Sequence, residues 1–142
     1  MSTRVLIVDD EPDVVKYLSA VLQSHDYEVH TASSAAAALE ALGHIRPDLI
    51  CLDIMMPEES GLSLYVRLRR EKATRETPVM VISGLESEED FNVRNYVDDT
   101  EVPAPDHYLE KPIRVDAFVE AVARLTETTG TGRSGQREES SS

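Results

Sequence analysis

The sequence predicts an α/β domain built on a doubly wound parallel sheet of five strands with helices packed on its faces. Three observations carry this. Short apolar runs at Val5–Val8, Leu49–Leu52 and Val79–Ile82 alternate with stretches of helical spacing, as repeated strand–helix units require. The runs are apolar at every position, which suits strands covered on both sides. The 142 residues carry 41% apolar and 29% charged side chains, a globular composition large enough for one domain with a real core.

Each element follows in order. The first strand, Val5–Val8, leads into a helix from about Pro12, because proline's missing N–H has no intrahelical acceptor in a first turn. Val14, Val15, Leu18, Val21 and Leu22 share one face of that helix. A second strand around Val29 precedes a helix opened by Ser33 or Ser34, striped by Ala35, Ala38, Leu39 and Leu42, and closed by Gly43 and Pro47. The third strand, Leu49–Leu52, ends at Asp53; Leu62, Leu64, Tyr65 and Leu68 mark the third helix. Val79–Ile82 forms the fourth strand and ends at Ser83. A fourth helix is predicted from Ser87, whose hydroxyl can accept from the N–H of Asp90. A short fifth strand, His107–Leu109, precedes a last helix with Val115, Phe118, Val119, Val122 and Leu125 at helical spacing, ending before Gly130. Residues 1–128 are thus expected to form one domain, and 129–142, made of Gly, Ser, Thr and charge, a flexible tail or linker remnant. Nothing after Leu125 can build a core, so an output domain is not expected in this chain.

Composition excludes several functions. The apolar runs fall far short of the roughly 20 residues needed to cross a bilayer, and Met1-Ser2-Thr3-Arg4 lacks a signal peptide's long apolar region, so a cytoplasmic location is expected. The single Cys51 has no Cys or His at zinc-ligand spacing and reads as buried filler. The scattered His25, His30, His44 and His107 read as surface or boundary residues. With 27 acidic against 14 basic side chains the net charge is −13, which disfavours nucleic acid and anionic membranes as partners. Much of that charge is local. Between Glu86 and Glu110 nine acidic residues face Arg94 alone, a net of −8, whereas Arg67 to Arg75 holds five basic residues and one acidic, a net of +4. An acidic face of this kind predicts a basic partner surface and salt-sensitive binding.

The ends of the strands carry the chemistry, because loops converge at the carboxyl edge of an open parallel sheet. Strand one ends in Asp9-Asp10, strand three in Asp53, strand four in Ser83, and strand five is followed by Lys111-Pro112. Two unit charges about 5 Å apart repel by roughly 3 kcal/mol at an effective dielectric near 20, so three carboxylates on one rim call for a cation. Oxygen donors without His or Cys favour Mg²⁺. Lys111 and Ser83 stand where they can grip a phosphoryl group, and Asp53, on the central strand, is the candidate carboxylate nucleophile for an aspartyl-phosphate. Taken singly, each residue has an ordinary reading: Asp10 or Glu11 as a helix cap, Ser83 as a turn residue, Lys111-Pro112 as a loop, Met55 and Met56 as packing. Their coincidence at four strand ends is what weighs against it.

In this arrangement the chain resembles the receiver domains of two-component response regulators, the CheY-like family. The resemblance rests on Val-Leu-Ile-Val-Asp9-Asp10-Glu11-Pro12, Asp53-Ile-Met-Met-Pro57-Glu-Glu-Ser-Gly61, Val-Ile-Ser83-Gly84 and Tyr108-Leu-Glu-Lys111-Pro112, and covers about residues 3 to 127. It implies a flavodoxin-like (βα)5 fold with strand order 2-1-3-4-5. It further implies that Asp53 accepts a phosphoryl group from a phosphohistidine on a sensor histidine kinase or phosphotransfer protein. Asp10 and Asp53 would ligate Mg²⁺ through side chains, Asp9 at least through water, and Met55 through its backbone carbonyl. Lys111 would contact the phosphoryl oxygens, the bond to Pro112 would be cis, Ser83 and Tyr108 would act as switch residues, and Gly84 would keep the approach to Asp53 open. Pro57 and Gly61 would shape the loop after Asp53. A downstream protein target would read the face of the fourth helix, fifth strand and last helix, and a phosphorylation-dependent homodimer is compatible with it. As an enzyme the domain would do no more than take up and lose its own phosphoryl group.

One stretch departs from the family pattern. Receivers commonly carry a Gly-Ala pair before the fifth strand, but here Val97-Asp-Asp-Thr-Glu-Val-Pro103-Ala-Pro105 occupies that region, and 28 positions separate Ser83 from Lys111. A signalling face of unusual shape is therefore expected. Two other readings are a receiver-like scaffold that signals without phosphorylation and a Mg²⁺-dependent phosphatase with an Asp nucleophile. The complete acidic set opposes the first. The second calls for Asp-x-Asp after strand one, where this chain has adjacent Asp9-Asp10.

Overall fold

A computed structural model describes residues 3–54, 61–83 and 105–135, with the backbone alone at 61, 62, 83 and 128–135. Five parallel strands, β1 (Arg4–Val8), β2 (Glu28–Ala32), β3 (Leu49–Asp53), β4 (Val79–Ser83) and β5 (His107–Glu110), form one sheet in the order β2-β1-β3-β4-β5. Among the described residues the helices are α1 (Pro12–Ser24), α2 (Ala35–Leu42), α3 (Gly61–Arg70) and α4 (Val115–Gly135). The helix expected from Ser87, the predicted unusual signalling face between Val97 and Ala104, and Met55, Met56, Pro57 and Gly84 lie outside the described residues.

Alternation along the inner strands divides the core in two. Val5 and Ile7 of β1, with Leu49, Cys51, Met80 and Ile82, point to the side closed by Leu18 and Leu22 of α1 and Phe118, Ala121 and Val122 of α4. Leu6 and Val8, with Ile50, Leu52, Val79 and Val81, point to the side closed by Ala35 and Ala38 of α2 and Leu64, Tyr65 and Leu68 of α3. Period-two side chains on strands buried from both faces produce this split. Cys51 is wholly buried, and desolvation pushes its thiol up to about 12, so it packs as an apolar residue.

The helix ends show which local signals won. Ser34 is the cap of α2, its Oγ accepting from the N–H of Ala37 at 3.0 Å, and Gly43 is its C-cap. Pro12 opens α1, but Glu11 at the cap position makes no capping bond with its side chain. α4 continues through Gly130 to Gly135, beyond the end expected from the Gly- and Thr-rich sequence. Its packed first half supplies the nucleus, and propagation then adds a hydrogen bond for each further residue.

At the N-terminal edge of β4 and β5, a buried arginine joins three segments. Arg69 of α3 donates to Tyr65 Oη at 3.0 Å, to the carbonyls of Arg75 and Thr77 at 3.1 and 2.6 Å, and to Asp106 Oδ2 at 2.8 Å. The same carboxylate oxygen accepts from the N–H of Val79 at 2.9 Å, and the N–H of Asp106 donates to the Val79 carbonyl at 3.0 Å. The start of β5 is thereby held against the start of β4.

Candidate functional site

Strand register brings the chemistry-bearing residues together. Val8 of β1 pairs with Leu52 of β3, so Asp9 and Asp53, each one residue further on, emerge side by side. Asp53 pairs with Ile82 of β4, which sets Ser83 one residue above it, and Ser83 pairs with Glu110, which sets Lys111 one residue above that. A rising stagger across the carboxyl edge thus converts four separate sequence positions into one site.

Asp9 and Asp53 are each only 1% exposed. Together with Asp10 they offer carboxylate oxygens that all lie within 4.8 Å of one another. Lys111 Nζ stands 3.4 Å from Asp9 Oδ2, 3.4 Å from Asp53 Oδ2 and 2.6 Å from Glu11 Oε1. Desolvation is the main reason the Asp9 carboxyl is pushed up to about 6; the neighbouring Asp53 charge adds to it, while the Glu11 N–H and Lys111 work against it. Burial would lower the Lys111 ammonium, but its hydrogen bond to Glu11 and the charges of Asp53, Asp9 and Glu11 outweigh that and hold it well above the usual lysine value. It stays charged across the physiological range.

The donor set suits a hard divalent cation. Asp9 Oδ1 accepts from the N–H of Glu11 at 2.9 Å, but among the described residues the buried Oδ2 has no hydrogen-bond donor, and one ammonium balances several carboxylates. A buried acceptor left this way is costly without a further cation. Oxygen-only donors on a partly open rim fit Mg²⁺, which keeps several waters and takes few protein ligands.

The remaining sequence-derived residues fall into place unevenly. The Lys111–Pro112 peptide is cis. Tyr108 lies on β5, half-buried against the core side closed by α2 and α3. Gly61 begins α3, and Ser83 ends β4 with its backbone alone described. Glu11 is a participant for which the sequence offers only the option of a helix cap, shared with Asp10; in the fold its side chain makes no capping bond and reaches Lys111, a hundred residues later. Its adjacency to Asp9-Asp10 was the available signal.

Residues 5–123 match the family described as the response regulator receiver domain, and the chain belongs to that family. Among curated relatives it is 30% identical over 126 residues to the DNA-binding dual master transcriptional regulator RpaA of Synechocystis, covering 89% of this chain and 50% of the relative. The chain therefore spans about half the length of that regulator. Among solved structures, chemotaxis response regulator CheY4 of Vibrio cholerae superimposes with a TM-score of 0.77 at 26% identity, over 88% of this chain and 99% of the other. Response regulator TrrA of Thermotoga maritima, solved in complex with Mg²⁺ and BeF, gives a TM-score of 0.70 at 31% identity, over 87% and 98%. The chain is a phosphorelay receiver on a CheY-like, flavodoxin-like fold.

Proposed function

We propose that Asp53 is the phosphoacceptor of this receiver and that Asp9, Asp10 and Asp53 hold the Mg²⁺ that assists it. The carrying observation is the buried Asp53 carboxylate, set between two further carboxylates and a charged lysine at the carboxyl edge of the central strand. A carboxylate oxygen of Asp53 attacks phosphorus; the new O–P bond forms as the P–N bond of a donor phosphohistidine breaks, and the electron pair leaves on the imidazole nitrogen. Lys111 lies close enough to meet the phosphoryl oxygens with its ammonium. Mg²⁺, when bound, supplies the charge neutralisation that one lysine cannot, with Met55 adding its backbone carbonyl.

The other roles follow from the family. The donor is a sensor histidine kinase or a phosphotransfer protein. Ser83, adjacent in register to Asp53, moves toward the phosphoryl group, and Tyr108 turns inward with it, with Gly84 leaving the approach open. A downstream protein target reads the changed face, with a phosphorylation-dependent homodimer as one form of output. The receiver domain occupies residues 1–128, and 129–142, into which α4 runs as far as Gly135, serve as a tail or linker remnant; the domain works in the cytoplasm, turning over only its own phosphoryl group. Among the described residues no helix is long and apolar enough to cross a membrane.

The test is incubation with Mg²⁺ and acetyl phosphate, followed by intact mass, on wild type and Asp53→Ala. One phosphoryl group per chain is expected on wild type, dependent on Mg²⁺ and absent from the variant. No modification of wild type would sink the reading, and repeated turnover of a phosphate ester would point to a phosphatase.

A further inference from the structure

We propose that Glu11 is a positioning residue that holds Lys111 at a long 3.4 Å contact with Asp53, short of full approach, until a phosphoryl group arrives, a role that rests on Asp53 being the phosphoacceptor. Lys111 donates a short hydrogen bond to Glu11 at 2.6 Å and only a long one to Asp53 at 3.4 Å, with Asp9 Oδ2 also at 3.4 Å. Two independent features keep the Glu11 carboxylate available for this. Its position is the cap of α1, yet its side chain takes no helix N–H, and its own backbone N–H is tied to Asp9 Oδ1 at 2.9 Å. Glu11 is thus anchored to the acidic cluster through its backbone and turned to the lysine through its side chain.

The arrangement is built to break. Glu11 is 56% exposed on its side chain, whereas Asp53 is buried, so water readily re-solvates Glu11 when the ammonium leaves. A phosphoryl group on Asp53 offers oxygens carrying more charge, at a buried position, and draws Lys111 across. Before that, the tether keeps the ammonium from closing on the oxygens that a metal ion would use. Removing Glu11 therefore has opposite effects on two ligands. Lys111 settles onto Asp9 and Asp53 and competes with Mg²⁺, while it becomes freer to meet a phosphoryl mimic.

Calorimetric titrations of wild type, Glu11→Gln, Lys111→Ala and the double variant with Mg²⁺ alone, and of the first two with beryllofluoride at saturating Mg²⁺, test this. In Glu11→Gln the Mg²⁺ Kd is expected to rise about three- to fivefold and the beryllofluoride Kd to fall by a similar factor, the scale of a partly exposed ion pair. In the Lys111→Ala background the Mg²⁺ effect of Glu11→Gln is expected to disappear, because coupled residues are non-additive. If both affinities move the same way, or if the Mg²⁺ effect persists without Lys111, Glu11 is an ordinary rim charge and the tether is wrong. Wild type that binds beryllofluoride at Asp53 while Glu11→Gln binds it equally well overturns the tether and leaves the phosphoacceptor standing. Wild type that binds none overturns both.

Discussion

At the N-terminal edge of β4 and β5, Arg69 is enclosed by acceptors; at the C-terminal edge of the sheet, Lys111 faces more negative charge than it can pair. Both cations meet aspartates, but the accounting differs. Arg69, only 5% exposed, uses four of its five donors on a tyrosine hydroxyl, two carbonyls and Asp106. At the other edge Asp9 Oδ2 has no hydrogen-bond donor among the described residues, and burial pushes its carboxyl up to about 6. Near-complete satisfaction marks a structural joint that fixes where β5 begins. Incomplete satisfaction marks a site with room for another cation and for an incoming anion.

The largest effect is expected at the satisfied end. Arg69→Met removes the guanidinium donor from the Tyr65 hydroxyl and two carbonyls and leaves Asp106 Oδ2 with the Val79 N–H, and should lower stability by about 3 kcal/mol in urea unfolding. A loss below about 1 kcal/mol would mean that water replaces the guanidinium and that the two ends are less different than their contacts indicate.

The opposite sign is expected at the other end. With its native value near 6 against 3.8 for the free group, Asp9 binds its proton more tightly when folded. Its contribution to stability is full below about pH 4 and is lost as pH rises through 6. Metal-free Asp9→Asn should therefore be more stable than wild type by about 1–2 kcal/mol at pH 8 and nearly equal to it at pH 4. Added Mg²⁺ should raise the Tm of wild type more than that of the variant. A variant less stable than wild type at pH 8 would show that the aspartate is structurally paired, as at Arg69.

The smallest effect calibrates the comparison. Ser34→Ala removes the α2 cap, remote from both ends, and should lower stability by about 1 kcal/mol while leaving Mg²⁺ affinity unchanged. A change in Mg²⁺ affinity there would mean that any loss of stability perturbs the site, and that the Asp9 result says nothing particular about charge.

How legible the molecule was depends on how local its signals are. The inner strands could be read because four consecutive apolar residues admit few other structures, and Ser34 and Pro12 announced their helices through chemistry confined to one turn. Asp9, Asp53 and Lys111 could be placed on one rim because parallel strands all end on the same side. α4 runs past the end that Gly130 predicts, since Gly130 signals a stop only if propagation from a packed helix does not carry through it. The Arg69 joint was not legible at all: Arg69 and Asp106 are 37 positions apart, and nothing in either neighbourhood distinguishes a buried arginine from its exposed neighbours Arg67 and Arg70.

By itself the sequence determined the architecture, the strand-end residues and the excess of carboxylate, because patterning and composition act along the chain. Only the tertiary structure decided which cation serves which carboxylate. Register sets Lys111 one step above Ser83 and two above Asp53, and the start of α1 turns Glu11 toward it, so a residue that could have capped a helix takes the lysine instead. Pairing of this kind depends on distances between strands that no local pattern encodes, and on burial, which leaves Asp9 short of a donor and supplies Arg69 with acceptors for four of its five donors.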